Sequence, residues 1–197
     1  VLNATIDQYA YCKVEPSREW CFKSIDLGIE ENHNLWNNVE YIDSKLKLLI
    51  NSYQYLTKDV EREPVKITTY VEAPPGSGLG SSSALVVALI AAIAEYYNVP
   101  LGEYDMAEYA IEIERKICDL PGGKQDQFAA AFGGFNFMEF LKDGRTIVNP
   151  LRLNQKTQNM MELSTVLYYV GKPRKDSRVI ENTAKGLVDS KTVLNAT

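Results

Sequence analysis

The 197-residue sequence is poor in the residues that build many catalytic and metal centres. His33 is the only histidine, which argues against a histidine-based catalytic triad or a histidine metal site. The three cysteines, Cys12, Cys21 and Cys118, lie far apart without the spacing of metal ligands. This cysteine usage favours free thiols, as in a cytosolic protein.

Long apolar runs and clusters of positive charge are also missing. The most apolar run, residues 84–94, is too short to span a bilayer and fits a buried helix. The formal net charge is −5, and no basic stripe suited to nucleic acid is present. With 45% hydrophobic residues, the composition indicates a globular domain with a sizeable core. We therefore expect a cytoplasmic protein without nucleic-acid or membrane partners.

Helical and strand-like patterns follow each other irregularly, which favours an α+β fold class over a parallel doubly wound sheet. Strands are predicted over residues 1–16, 20–25, 65–72, 135–141, 146–151 and 164–170. Helices are predicted over residues 39–56, 84–97, 104–118, 125–132 and 176–188. The segment 20–25 is expected to pair with the first strand, and the polar segment 26–38 is expected to be a loop.

The most informative segment is residues 74–84, Pro-Pro-Gly-Ser-Gly-Leu-Gly-Ser-Ser-Ser-Ala, between a predicted strand and a predicted helix. Glycines let the backbone approach an anion, and the free N–H groups of a helix N-terminus point at it. The segment therefore predicts a phosphate-binding loop and a nucleotide-dependent enzyme.

Two familiar glycine loops do not fit this segment. A Walker A loop needs a lysine after its second glycine, but Ser81 follows Gly80. A dinucleotide fingerprint that starts at Gly76 and Gly78 needs a third glycine where Ser81 stands. A purely structural alternative is a glycine-rich turn in which Ser81 or Ser82 caps a buried helix.

The pattern Pro-x-x-x-Gly-Leu-Gly-Ser-Ser-x-Ala resembles the signature loop of the GHMP kinases, the galactokinase, homoserine, mevalonate and phosphomevalonate kinases. Ser83 stands where many members have alanine. The resemblance implies an N-terminal half like domain 2 of ribosomal protein S5, with a left-handed βαβ unit. It places this ATP-binding domain at residues 1–150 and the start of a C-terminal α/β domain at residues 151–197. The implied ATP-binding residues are Pro75, Gly76, Ser77, Gly78, Leu79, Gly80, Ser81, Ser82 and Ser83.

A second segment, residues 119–128, reads Asp-Leu-Pro-Gly-Gly-Lys-Gln-Asp-Gln-Phe and resembles the catalytic segment of the same family. Phosphoryl transfer needs Mg²⁺ on the phosphates, an aligned hydroxyl and a carboxylate to orient it or accept its proton. The resemblance implies that Asp126 is the catalytic carboxylate, that Glu114 and Ser82 hold Mg²⁺, and that Lys124 stabilises the transferring phosphoryl group. The simpler alternatives are a solvated charge at Glu114 and at Lys124, and a helix-terminal acid at Asp126.

Residues 1–11, 122–130 and 133–140 narrow the resemblance to bacterial D-glycero-D-manno-heptose 7-phosphate kinases. That branch implies transfer of the γ-phosphoryl of ATP to the anomeric C1 hydroxyl of a sugar phosphate, for nucleotide-activated heptose synthesis. A fucokinase- or galactokinase-type enzyme and a non-catalytic ATP and sugar sensor remain alternatives. The implied substrate contacts are Thr5, Asp7, Gly122, Gly123 and Arg174.

The resemblance also sets expectations for the ends of the chain and for assembly. Family members carry a glycine-rich stretch ahead of the segment that begins here at Val1, and another glycine-rich motif beyond Thr197. We therefore expect a chain that is truncated at both ends. A homodimer is the candidate oligomeric state, which the sequence does not decide.

Overall fold

Strands and helices are mixed along the computed structural model, which describes residues 1–34 and 44–168. The strands are β1 (Leu2–Ala4), β2 (Ala10–Pro16), β3 (Trp20–Ser24), β4 (Ile29–His33), β5 (Val65–Val71), β6 (Phe135–Phe140) and β7 (Thr146–Pro150). The helices are α1 (Lys47–Leu56), α2 (Ser81–Tyr96), α3 (Glu103–Ile111), a π-helix (Glu112–Ile117), α4 (Gln125–Phe132) and α5 (Gln155–Ser164). The predicted α+β class is confirmed.

Four strands form one sheet in the order β2-β5-β3-β4. β5 is antiparallel to β2 and parallel to β3, with Ile67 opposite Val14 on one side and Phe22 on the other. The predicted direct pairing of segment 20–25 with the first strand is therefore wrong, because β5 lies between them. The predicted loop over residues 26–38 is also wrong at its centre, where β4 pairs with β3. β4 is an edge strand with polar, partly exposed residues, so its composition resembles that of a loop.

The first predicted strand, residues 1–16, is divided between two sheets. β1 joins a three-stranded antiparallel sheet of order β1-β6-β7, whereas β2 belongs to the four-stranded sheet. The connection is fixed at Thr5, whose N–H donates to the carbonyl of Gly134 at 3.0 Å. The strands predicted over residues 135–141 and 146–151 form the antiparallel pair β6 and β7.

The core is built around α2. This helix packs against β2 on one side and contacts α1, α3 and α4 on others. A helix with neighbours on several sides needs apolar residues all round, which explains the uninterrupted apolar run seen in the sequence. Its fully buried side chains are Val86, Leu89, Ile90 and Ile93. Among the described residues, no helix is both long and apolar enough to cross a membrane.

The predicted helix 104–118 changes its winding partway. α3 is a normal α-helix, but the π-helix continues it, and the N–H of Cys118 donates to the carbonyl of Ile113, five residues back, at 2.8 Å. π-helical turns are rare and often mark functional sites. The sequence pattern predicted the helix but not this widening.

The end of the described chain differs from prediction. Residues 155–164, for which no helix was expected, form α5, and the Asn154 side chain caps it by accepting from the Thr157 N–H at 2.9 Å. The strand predicted over residues 164–170 does not form at residues 164–168. Residues 169 and 170, the helix predicted over 176–188 and residues 39–43 of the helix predicted over 39–56 lie outside the described residues.

Candidate active site

The glycine loop delivers the N-terminus of α2 in a conformation that suits an anion. Gly76, Gly78 and Gly80 all have positive φ, at 75°, 78° and 72°. Gly80 is the N-cap, so the structural alternative in which Ser81 or Ser82 caps the helix is wrong, and no described side chain caps the first turn of α2. That turn contains no acidic residue. Its free N–H groups and the positive end of the helix dipole are therefore available to a phosphate.

Two loop serines bind a buried carboxylate. Ser82 Oγ donates to Glu114 Oε1 at 2.7 Å, and Ser83 Oγ donates to Oε2 at 2.8 Å. Gln127 Nε2 donates to the same Oε2. Glu114 is 1% exposed, so the alternative of a solvated charge on the helix face is excluded. The π-helix, α2 and α4 thus meet at one carboxylate.

The donor set around Glu114 suits a hard cation. The serine and glutamine groups are neutral, and no ion pair of the described residues includes Glu114. Residues 1–34 and 44–168 contain no cluster of three or more histidine, cysteine or acidic residues that would form an all-protein cage. A carboxylate and a hydroxyl are instead the short set of oxygen ligands that Mg²⁺ uses when phosphates and water complete its coordination. Glu114 and Ser82 therefore fit such an ion.

Asp126 stands over the glycine loop. It is exposed, in the first turn of α4, where its charge is favoured by the helix dipole. A Cβ built on Gly80 would lie 3.4 Å from both Cβ and Cγ of Asp126. The loop and the predicted catalytic carboxylate therefore lie close together, and a Cβ at Gly80 would make an ordinary van der Waals contact with Asp126.

A cavity of about 630 Å³ opens beside Asp126. Its walls come from the β1–β2 connection, the glycine loop, α2 and α4. Small apolar side chains dominate the helical walls, while backbone and polar groups line the rest. The residues that line the cavity include Asn3, Thr5, Gln8, Tyr9, Gly78, Leu79, Gly80, Ala88, Ala91, Gln125, Asp126 and Ala130.

The predicted substrate contacts lie in different places. Thr5 lines the cavity, but its Oγ1 already accepts from the Gly134 N–H at 2.8 Å. Asp7 is not among the cavity-lining residues of the described chain, and its carboxylate accepts a hydrogen bond from the phenol of Tyr9, which raises the pKa of Tyr9. Gly122 and Gly123 form an exposed turn that leads into α4. Arg174 lies outside the described residues.

Lys124 is not brought to the cavity. Its Nζ donates to the carbonyl of Gly144 in the β6–β7 turn at 3.1 Å, and the cavity walls, as far as the described chain forms them, do not include it. In the glycine loop, the Ser77 N–H donates to the carbonyl of Pro74 at 3.1 Å and closes a turn. The catalytic role of Lys124 stays a prediction without a supporting contact.

Sequence reasoning missed Gln127 and Arg115, and it missed the contact between Ser83 and Glu114. Ser83 was predicted only as an ATP-binding residue, yet its hydroxyl binds Glu114. Gln127 directly follows Asp126 in the motif. Its side chain is fully buried, and local sequence patterns do not reveal this burial. The Arg115 guanidinium donates to carbonyls of the turn before α4.

The cysteines do not contribute nucleophiles. Burial raises the pKa of all three thiols, and that of Cys12 reaches about 12. A thiol with a raised pKa is protonated at neutral pH and reacts slowly. Hydroxyl, carboxylate and backbone groups are therefore the chemistry that this site offers.

Comparison with known proteins supports the same interpretation. A protein-family sequence model, described as the GHMP kinases N terminal domain, matches residues 45–134. A D-glycero-alpha-D-manno-heptose 7-phosphate kinase from Campylobacter jejuni is 41% identical over 202 residues, which cover 100% of this chain and 58% of the relative. A galactokinase from Thermosipho africanus is 33% identical over 147 residues, which cover 72% of this chain and 40% of the relative.

A solved structure shares the architecture. The crystal structure of a D-glycero-D-manno-heptose 1-phosphate kinase from Bacteroides thetaiotaomicron matches with a TM-score of 0.75 and 44% identity. The match covers 79% of this chain and 52% of that one. The chain thus spans about half the length of the relatives that it matches.

Proposed function

Because this chain belongs to the GHMP kinase family, we propose that it carries the nucleotide- and metal-binding part of an ATP-dependent sugar kinase. The proposed reaction is transfer of the γ-phosphoryl group to the C1 hydroxyl of D-glycero-D-manno-heptose 7-phosphate, in the cytoplasm, for nucleotide-activated heptose synthesis. The observation that carries the proposal is the buried Glu114 carboxylate on Ser82 and Ser83, at the start of α2 and near Asp126.

The loop and α2 supply the nucleotide site. The N–H groups of the first turn, together with the three positive-φ glycines of the loop, form a cradle for the phosphates of ATP. The same turn carries Ser82, so the phosphates and Glu114 come to neighbouring positions. Mg²⁺ held by Glu114 and Ser82 would neutralise charge on those phosphates.

Asp126 is proposed to act on the acceptor. Its carboxylate lines the cavity and accepts a hydrogen bond from the C1 hydroxyl, which points the oxygen at the γ-phosphorus. As the new O–P bond forms, the hydroxyl proton passes to Asp126, and the bond between the γ-phosphorus and the bridging oxygen of ADP breaks. The exposed position of Asp126 allows it to release the proton to water afterwards.

The choice of sugar rests on similarity. The Campylobacter jejuni relative, named as a heptose 7-phosphate kinase, aligns over all of this chain, whereas the galactokinase aligns over less of it and at lower identity. This difference favours a heptose phosphate over galactose as the acceptor.

The test is ³¹P NMR of the whole protein with Mg-ATP and, separately, heptose 7-phosphate, fucose, galactose or mevalonate. A new anomeric phosphate signal with heptose 7-phosphate alone is the expected result. A product with another acceptor would overturn the assigned substrate. ATP and sugar binding without turnover would favour a sensor over a kinase.

The matched variants are Asp126→Asn and Asp143→Asn. Asp126→Asn should lower kcat by about 10²- to 10⁴-fold while ATP still binds, because it removes the proton acceptor without changing shape. Asp143 is an exposed acid in the β6–β7 turn, paired with Arg145, so Asp143→Asn should keep the wild-type rate. Equal rates for Asp126→Asn and wild type would remove Asp126 from the mechanism.

A further inference from the structure

Arg115 makes an unusual set of hydrogen bonds for a residue in a charged helix. Its Nη1 donates to the carbonyls of Leu120 and Pro121 at 3.2 and 3.4 Å. Its Nε and Nη2 donate to the carbonyl of Gly123 at 3.1 and 3.0 Å. One guanidinium thereby holds three carbonyls of the turn that precedes α4.

The turn is shaped around this side chain. Gly122 has φ of 152°, and a Cβ built on it would lie 2.7 Å from Nη2 of Arg115 and 2.8 Å from Cζ. A contact that short is incompatible with any side chain at Gly122 unless the guanidinium moves. The glycine is therefore needed for the arginine to reach the carbonyls.

The neighbouring Lys116 shows what an ordinary charge in this helix does. Lys116 pairs with Glu112 at 2.7 Å on the surface, whereas among the ion pairs of residues 1–34 and 44–168 none includes Arg115. Within the described residues, the side-chain hydrogen bonds of Arg115 go to backbone carbonyls. They therefore indicate that Arg115 holds the conformation of the chain.

Arg115 joins the two halves of the proposed site. It directly follows Glu114 in the π-helix, and the turn that it holds runs into the α4 residue Asp126 three positions after Gly123. A backbone bond from the Leu120 N–H to the Glu114 carbonyl at 2.8 Å closes the same loop. Resting on the function proposed above, we propose that Arg115 is a positioning residue, which fixes Asp126 relative to the Glu114 and Ser82 site.

Kinetics of the whole protein test this role. Arg115→Ala and Arg115→Lys should each lower kcat by about 10- to 100-fold with KM for ATP little changed, because small misplacements of a reacting group reduce the rate without weakening binding. Lysine should rescue little, since a single ammonium lacks the planar fork that reaches several carbonyls. Lys116→Ala, in the same helix and with the same change of charge, should keep the wild-type kcat. Wild-type kcat in Arg115→Ala would overturn the proposal.

A double-mutant cycle with Gly122→Ala separates positioning from general damage. Gly122→Ala should lower kcat as Arg115→Ala does, because the new Cβ displaces the guanidinium. The combined loss in the double variant should be clearly smaller than the product of the two single losses, since both changes release the same turn, although alanine at φ 152° adds strain of its own. Fully multiplying losses would show that the two residues act independently and would contradict the proposal.

Hydrogen exchange gives a result that does not depend on catalysis. Arg115→Ala should speed amide exchange in a peptide that covers residues 119–128, and Lys116→Ala should not. Unchanged exchange in Arg115→Ala would overturn the role of Arg115, whatever the activity. If the wild-type protein phosphorylates no acceptor but Arg115→Ala still exchanges faster, the proposed reaction would be refuted. The role of Arg115 in holding the turn would then still stand.

Discussion

Glu114 illustrates how a single residue can define a site. Its carboxylate is buried, and its three donors, Ser82, Ser83 and Gln127, are all neutral. Burying an ionised group without an opposite charge costs several kcal/mol, which hydrogen bonds offset only in part. Among the described ion pairs, none brings a lysine or arginine to Glu114. The surroundings therefore favour a bound cation.

Glu114→Gln is expected to weaken the metal site while preserving the fold. The amide oxygen can accept from Ser83 and Gln127, and the Ser82 hydroxyl can turn to accept from the new NH₂ group. We expect kcat/KM to fall by about 10²-fold or more, with a higher Mg²⁺ requirement. The free energy of unfolding should change by less than about 1 kcal/mol or increase, because a buried charge is removed.

Mg²⁺ titrations of activity and urea unfolding measure the two effects. Glu112→Gln is the control, because Glu112 lies in the same π-helix and pairs with Lys116 at the surface. A surface pair contributes little, so this variant should resemble wild type in both measurements. An unchanged Mg²⁺ requirement in Glu114→Gln would exclude Glu114 as a metal ligand.

The burial of Glu114 was not predictable from its neighbours. Glu108, Glu112 and Arg115 surround it in sequence and suggest a solvated helix face. The donors that bury it come from residues 82, 83 and 127, which are distant along the chain. The family resemblance assigned it a metal role, but its contacts depend on how three helices meet.

At the scale of elements, the glycine loop depends on a backbone conformation that favours glycine. Gly80 adopts a left-handed φ of 72°, which a residue with a Cβ adopts at a cost of roughly 1–2 kcal/mol. A Cβ there would make only an ordinary van der Waals contact with Asp126. The loop therefore depends on glycine here for its conformation rather than for space.

Gly80→Ala should affect stability and activity, whereas Gly28→Ala should affect stability alone. Gly28 has a similar φ of 64°, but a Cβ there would meet nothing within 4 Å. Both variants should lose roughly 1–2 kcal/mol of unfolding free energy, measured by urea denaturation. Only Gly80→Ala should also lower kcat, because Gly80 is the N-cap of α2 and strain at this position shifts the first turn that carries Ser82. Equal kcat values in the two variants would contradict this dependence of the site on Gly80.

Element prediction succeeded where the pattern was local. The helix α4 between glycine signals and the β6–β7 hairpin were predicted nearly to the residue, whereas the apolar helix α2 was predicted to begin three residues late. It failed where tertiary pairing decides. β4 is too polar to be recognised as a strand. The break between β1 and β2 arises because the two strands pair in different sheets. The π-helix has no local signature in its composition.

At the scale of the molecule, α2 connects the sheet, three other helices and the site. Its buried side chains belong to one core with residues of α1, β5 and the π-helix, while its first turn carries Ser82 and Ser83. Loosening this core should therefore reduce the stability of the site and of the sheet together. This arrangement also explains why the site cannot be assembled from the loop motif alone.

Ile90→Ala should destabilise the whole described fold by about 2–5 kcal/mol, the usual cost of a large-to-small change in a packed core. Ile90 is 0% exposed. Glu95→Ala, on the exposed side of the same helix, should change the unfolding free energy by less than about 0.5 kcal/mol. Urea denaturation followed by circular dichroism and fluorescence measures both, and the two signals should coincide. Separate transitions would show that the core does not unfold as one unit.

The π-helix that carries Glu114 bears on the evolution of this segment as well as on the chemistry of the site. A π-turn closes on the fifth residue back, so it holds one residue more than the α-turn that it replaces. A single inserted codon in an ancestral α-helix would suffice to re-aim the side chains of that turn. Alignments of this segment should therefore contain a one-residue gap wherever a lineage retains the α-helical form.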